Sequence, residues 1–364
     1  MNWENIRQNY PVVADNTYLD TARTGAVSVN TINKVKAFLD DQLQNAALHR
    51  EHWIDTMEKA REKTAQLLGV HKKDVGFQND TSTVISIIAG AIEPNKKVVL
   101  VENDFPSVGL PWVKQGYEVL WVKRGADFSI DINKIEDALK QGGEIVAISW
   151  VQYNSGFKID IEKLGELCEK YGAKLIVDGT QGICVFPINP EKLKIHAFIA
   201  SGFKWMTAGY GITVVYLNDG FRKKLKTNVA GWNSLIDFFG NYDDENIKAS
   251  TSAMELGHPK YHVITCLDSA LDELNQIGLE KIQERTTELS TYLRKSIEQS
   301  GIQQLSNFSK ENQSHIQLVE GSQDQFKKLA ANNIRVTHRE NYFRVSPYFY
   351  NNESDIDRLI EMLK

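Results

Sequence analysis

The chain has 364 residues, 42 % of them hydrophobic and 24 % charged, with a formal net charge of −5. That length admits about two domains and a core of useful size. The mild acidity, with no basic stripe, argues against binding to nucleic acid or to an anionic membrane surface.

The N-terminal stretch MNWENIRQNYPVVADN is polar and has no apolar signal core. No run approaches the ~20 apolar residues that a membrane helix needs. Three cysteines, Cys168, Cys184 and Cys266, form no CxxC pair, which fits a reducing compartment better than a disulfide framework or a zinc knuckle. A soluble, cytoplasmic protein is expected.

The first ~70 residues read as two helices leading into a large domain. From residue 75 onward, short Val- and Ile-rich runs alternate with helical patterns. The runs are DVGFQ (74–78), KVVLVE (97–102), EVLWVK (118–123), EIVAISWV (144–151), AKLIVD (173–178), AFIAS (197–201) and GITVVYL (211–217). They are continuous rather than alternating, as strands buried on both faces are. Between them, Thr81–Ala91, Asp131–Lys140 and Asp160–Tyr171 read as amphipathic helices. The pattern predicts an α/β fold with a largely parallel sheet and helices on both faces. Residues 218–258 are polar and irregular. A long helical pattern follows (261–276, 279–300), then strand candidates HIQLVE and YFRVSP and a closing helix, which together read as a smaller α+β domain.

Several familiar motifs are missing. There is no GxGxxG after a strand, no GxxxxGK[ST] and no GxSxG; Gly209-Tyr210-Gly211 is explained by a turn. His49 with His52, and His258 with His262, could share helix faces, but neither pair has an obvious third ligand, so no metal is expected.

In open α/β sheets, ligands sit at the carboxyl ends of the strands. After the first run come Thr81, Ser82 and Thr83, where helix N–H groups and hydroxyls suit a phosphate. After the second comes Phe105. Asp178 ends the fifth run, with Gln181 three residues on. Ser201 ends the sixth, with Lys204 three residues on. Singly, each has a plainer reading as an N-cap or a core residue. Together they offer a phosphate cradle, an aromatic plate, a buried carboxylate and a buried lysine. A phosphorylated pyridine aldehyde needs that set: the lysine forms the Schiff base, and the carboxylate keeps the ring nitrogen protonated.

The segments YLDTARTG (18–25), FQNDTSTV, VDGTQ, SGFKW and RVSPYFYN occur in the order found in class V aminotransferases. The chain resembles that family, the fold-type-I pyridoxal-phosphate enzymes that include cysteine desulfurases, kynureninases and isopenicillin-N-epimerase-like proteins. The resemblance implies a large domain with a seven-stranded, mainly parallel sheet (residues 1–250) and a small C-terminal α+β domain (251–364). It implies pyridoxal 5'-phosphate as cofactor and an amino acid as substrate. Lys204 resembles the Schiff-base lysine and Asp178 the pyridinium partner. Gln181 matches the residue that bonds the cofactor's phenolic oxygen, and Ser201, Thr81 and Ser82 match phosphate ligands. Phe105 resembles the stacking aromatic of the kynureninase branch. Arg344 matches the arginine that grips the substrate's α-carboxylate. Gly257 and His258 resemble a segment that reaches the phosphate of a neighbouring subunit, which implies a homodimer with shared sites. HREH (49–52) resembles a substrate-pocket segment of the desulfurases, and His338 and Arg339 precede Arg344 closely enough to shape the pocket.

Two departures concern the desulfurase branch. The stretch NNIRVTHRENYFRV holds no cysteine where that branch carries a mobile one, and Phe203 stands where it carries histidine. Transamination therefore ranks first, as the reaction that needs only Lys204. A β-lyase (C–S or C–N) is the alternative. An epimerase ranks third, with His49, His52 or His338 as the second acid. A non-catalytic binding protein and an NAD enzyme are the rivals outside this chemistry.

Overall fold

The computed structural model describes residues 1–226 and 229–364. Twelve strands follow in chain order: β1 (Thr17–Tyr18), β2 (Val75–Gln78), β3 (Lys97–Val101), β4 (Glu118–Val122), β5 (Ile145–Ser149), β6 (Lys174–Asp178), β7 (Ala197–Ser201), β8 (Thr213–Leu217), β9 (Gln317–Glu320), β10 (Ile334–Arg335), β11 (Thr337–Arg339) and β12 (Tyr342–Val345). Strands β2 to β8 form one sheet in the order β2-β8-β7-β6-β5-β3-β4. β8 runs antiparallel to both neighbours, and the other pairs are parallel. All seven strands read from the sequence are present.

The apolar runs are continuous because the sheet is covered on both faces. Along β6, Leu175 and Val177 enter one core while Ile176 enters another; β5 splits the same way, with Val146 and Ile148 against Ile145 and Ala147. Helices Thr81–Gly90 and Pro106–Lys114 cover the smaller core, and Ile132–Lys140, Ile161–Lys170 and Tyr261–Ile277 cover the larger. Aspartates start three of them: Asp80, Asp131 and Asp160 accept from backbone N–H groups of the first turn.

The N-terminal helices Val29–Asn45 and Arg50–Leu68 pack against Tyr261–Ile277. A third core joins Leu19 to Leu289, Leu293, Phe343, Ile356 and Leu359. β1 pairs in parallel with β10, which ties the N-terminal segment to the C-terminal lobe. The irregular stretch after β8 forms only single helical turns up to Met254; residues 227–228 lie outside the described residues. The sequence reading overlooked helix Gln323–Ala331 and strands β10 and β11. The helix carries a full capping box from Ser322 and Gln325, a signal that was available. No helix among the described residues is long and apolar enough to cross a membrane.

Candidate active site

Register brings the functional side chains together. Ser149 pairs with Asp178 across β5 and β6, and Asp178 with Ile199 across β6 and β7, so the carboxyl ends of these parallel strands share one edge, where the first residue of antiparallel β8, Thr213, pairs with Ser201. At that edge lies a cavity of about 120 Å³, lined by Asp80, Thr81, Ser82, Phe105, Ser149, Val151, Tyr153, Asp178, Thr180, Gln181, Ser201, Phe203 and Lys204. Seven of these were picked from the sequence: Thr81, Ser82, Phe105, Asp178, Gln181, Ser201 and Lys204. A larger groove, of about 1020 Å³, runs along the 217–254 segment, and none of the residues picked out in the sequence lines it.

The Lys204 amine has no hydrogen-bond or ion-pair partner among the described residues. Its Nζ sits 5.2 Å from the ring centre of Phe203 and 6.0 Å from that of Phe105. Burial pushes the amine down to about 8, against the opposing pull of Asp178. The backbone there is pinned: Gly25 N–H donates to the Phe203 carbonyl at 2.8 Å. A Cβ at Gly25 would come within 1.9 Å of the Lys204 carbonyl oxygen, so only glycine permits this approach.

The unpaired amine leads to a stability prediction. Unfolded lysine keeps its proton to about 10.5, whereas the native amine loses it near 8. The native state therefore bears its penalty in full below pH 8 and sheds it as pH rises to about 10.5. Cofactor-free Lys204→Met should be more stable than the parent at pH 7, by up to about 3 kcal/mol. Urea melts should show the difference closing between pH 8 and 10.5. A difference that does not change with pH would mean that the amine is not depressed.

Asp178 is 6 % exposed and lacks an ion-pair partner; its Oδ1 accepts from Thr180 N–H at 2.9 Å. Burial raises its carboxyl above the ordinary value, opposed by the Thr180 bonds and by Lys204, and Asp104 adds to the rise. A buried carboxylate without a cation is costly unless a positive group arrives. Gln181 is held by Trp205, whose Nε1 donates to its Oε1 at 2.7 Å, and its Nε2 donates to the Ala22 carbonyl at 2.9 Å. That leaves one amide hydrogen for a ligand.

Hydroxyls cluster at the start of helix Thr81–Gly90. Thr81 Oγ1 lies 2.8 Å from Ser201 Oγ, and Ser82 Oγ lies 2.6 Å from Ser107 Oγ. Asp80 already caps the Thr83 N–H, which leaves the N–H groups of Thr81 and Ser82, both cavity-lining residues, as donors for an anion. The Phe203 ring, where a polar contact was absent from the sequence, stacks on Tyr210 at 4.6 Å.

Arg344 lies beside the cavity. Its Nη1 donates to the Tyr153 carbonyl at 2.7 Å, and its Nη2 donates to Thr337 Oγ1 at 3.2 Å and lies 3.5 Å from Asp20 Oδ1. Its Nε is buried and has no partner. Asp20 is 5 % exposed; burial raises its carboxyl, and Arg344 opposes that rise. The sequence reading missed Asp20, Tyr153 and Thr180. Asp20 was visible as a lone acid inside the quoted segment YLDTARTG.

Six residues considered in the sequence are placed elsewhere or on another face. His49 caps helix Arg50–Leu68, and its Nδ1 bonds Asp41 Oδ1 at 2.6 Å. Neither His49 nor His52 lines the cavity of its own chain. His338 pairs with Phe343 and stacks on Phe326, the side of the hairpin opposite Arg344, because neighbouring residues in a strand alternate faces. His258 meets Trp232 at 4.8 Å, and neither it nor Gly257 lines the cavity of its own chain. Arg339, two residues beyond Thr337, shares the Arg344 face and lies outside the cavity. No group of three or more metal-ligating side chains occurs among the described residues.

The sequence profile described as aminotransferase class-V matches residues 17–359. The chain belongs to the class V aminotransferase family. This class V enzyme is 22 % identical over 306 residues to a probable cysteine desulfurase of Methanothermobacter thermautotrophicus, covering 82 % of this chain and 76 % of that one. It is 21 % identical to an uncharacterized aminotransferase of Bacillus subtilis, over 98 % of this chain and 96 % of the relative. Among solved structures it is similar to the cystine C–S lyase C-DES in complex with cysteine persulfide, with a TM-score of 0.88, 16 % identity and coverage of 97 % and 98 %. The fold is that of the fold-type-I pyridoxal-phosphate enzymes, and the family cofactor is pyridoxal 5'-phosphate. The donor set fits that group. An unpaired buried carboxylate can meet a pyridinium nitrogen, an unpaired amine can meet an aldehyde, and a hydroxyl-lined helix start can meet a phosphate.

Proposed function

We propose that the enzyme is a pyridoxal-phosphate-dependent lyase. It would break the Cβ–S bond of a cysteine-derived amino acid and release the sulfur directly, without passing it to a thiol of its own. The observation that carries the reading is the lack of any cysteine at the cavity. Cys168, Cys184 and Cys266 are all buried, and burial pushes their thiols up to about 12, 12 and 11. The short β11–β12 hairpin occupies the stretch before Arg344, with no thiol in it. The names of the desulfurase and C–S lyase relatives support sulfur chemistry, and the buried thiols disfavour an enzyme-bound persulfide.

In this reading Arg344 would grip the α-carboxylate through its buried, unpaired Nε and its planar fork. Asp178, Gln181, Thr81, Ser82 and Ser201 would hold the cofactor, with Phe105 as its aromatic neighbour. Lys204, depressed to about 8, has about a tenth of its amine neutral at pH 7, far more than an ordinary lysine, and that neutral form would take the α-proton. The bound cofactor supplies an electron sink for the pair left on Cα. The sulfur leaves with the Cβ–S pair, and with one water consumed the products are pyruvate, ammonia and a thiol or persulfide.

Transamination is the second reading. Phe105 and Phe203, the rings nearest the amine, cannot exchange protons, so a single lysine shuttle between Cα and the cofactor carbon would suffice. Incubating the holoenzyme with cysteine or cystine, without a keto acid, separates the two. Continuous release of pyruvate, ammonia and sulfur is the expected result. One equivalent of keto acid with bleaching of the visible absorption would replace the lyase reading by transamination.

A further inference from the structure

Outward from Arg344 the same hairpin face carries a second arginine. Thr337 pairs with Arg344 and Arg339 pairs with Tyr342, so Arg339 lies one cross-strand step nearer the turn, roughly 7 Å along the strand. A third arginine approaches from the sheet. Arg124 follows β4 by two residues, stacks over Phe128 at 4.9 Å, and donates Nη1 to Asn154 Oδ1 at 3.1 Å. Phe128 in turn meets the Tyr342 ring at 6.3 Å. Asn154 follows Tyr153, whose carbonyl holds Arg344 and whose ring packs on Phe105 at 5.4 Å. Arg124 is thus tied to the 153–154 loop and, through Phe128, to Tyr342 of β12, and Arg339 is tied to β12 by its pairing with Tyr342; the same loop and strand place Arg344.

Neither arginine forms an ion pair with a described residue. Arg7, Arg61 and Arg285 are each paired through two nitrogens to a carboxylate, of Asp355, Glu255 and Glu353 respectively, whereas half-buried Arg294 bonds the Ser314 carbonyl and no carboxylate among the described residues. Arg124 is half-buried, and burial depresses its guanidinium against the opposing pull of Tyr342, Tyr153 and the buried Asp104, none of which is in ion-pair contact with it. Asp20 is committed to Arg344 and Thr337, and Glu340 is exposed in the turn. A half-buried Arg124 with no carboxylate in contact is costly unless an anion visits, and the exposed Arg339, which like Arg124 acts on Tyr342, adds positive charge without that cost.

We propose that Arg124 and Arg339 form a second anion subsite, which takes a carboxylate at the far end of the substrate's sulfur substituent. The inference rests on the C–S lyase reading for the identity of the substituent, and on the arginines for its charge. Arg344 would hold the α-carboxylate while the distal carboxylate reaches the outer pair.

The test compares S-(2-carboxyethyl)cysteine, S-propylcysteine and S-(2-aminoethyl)cysteine as substrates of the holoenzyme, with thiol and pyruvate measured. The carboxyethyl compound should exceed the propyl compound at least tenfold in kcat/KM, mainly through KM, and the aminoethyl compound should be poorest. Arg124→Gln should erase most of that preference and Arg124→Lys should keep part of it. Equal kcat/KM for all three, or a preference that survives in both Arg124→Gln and Arg339→Gln, overturns the subsite. If no compound yields thiol, the lyase reading fails instead. The subsite is then judged by the concentrations of glutamate and norvaline that half-saturate the change in cofactor absorbance: a tenfold preference for glutamate upholds it, and none overturns it.

Discussion

Lys204→Ala should abolish the visible absorption of the lysine-bound cofactor and lower turnover by about 10⁴-fold or more. The argument starts from burial. The amine sits between Phe105 and Phe203 with no acceptor to satisfy it. Such a group costs the apo fold stability, so its presence reflects its reactivity rather than its packing. Removing it takes away both the covalent link and the base for Cα. The rest of the cavity, Asp178, Gln181, Ser201 and the Thr81 helix start, stays intact, so the variant should still retain cofactor noncovalently after gel filtration. A visible band at the parent position in Lys204→Ala would show that another amine carries the cofactor. Undiminished turnover would remove Lys204 from the chemistry altogether.

Much of this site was legible because the sheet edge makes it so. The chain ends β6 at Asp178 and β7 at Ser201, and parallel register then places both beside the N-terminus of helix Thr81–Gly90. A run of apolar residues that stops at an acid or a serine marks such an edge without any tertiary information. Histidines were harder. His338 adjoins Arg339 in sequence, yet the two-residue period sends it into the packing against Phe326. Its side could be decided only once the β11–β12 register was known. Asp20 and Tyr153 were not found for a different reason: they join Arg344 across sequence separations of 324 and 191 residues, which no local pattern encodes. The two short strands β10 and β11 were equally hidden, because two- and three-residue strands carry too little periodicity to be read.

Arg344→Lys should lower kcat/KM for the amino-acid substrate by about 10²–10³-fold, mostly by raising KM. Lysine keeps the positive charge that faces Asp20, so the fold should survive. It loses the planar fork that bonds the Tyr153 carbonyl and Thr337 together while leaving Nε open. Alanine would be a poorer probe. It would leave Asp20 buried without its cation, a defect that costs about 3–5 kcal/mol, and lost folding would then be confused with lost binding. The decisive comparison uses the decarboxylated analogue of the substrate, which presents the amine alone. If Arg344 grips the α-carboxylate, the parent should bind the amine weakly, and Arg344→Lys should weaken the amino acid far more than the amine. Equal losses for both would mean that Arg344 only shapes the pocket. The charge balance favours the first outcome: Asp20 neutralises the arginine in the free enzyme through one 3.5 Å approach, and a carboxylate that reaches Nε directly would make the shorter contact.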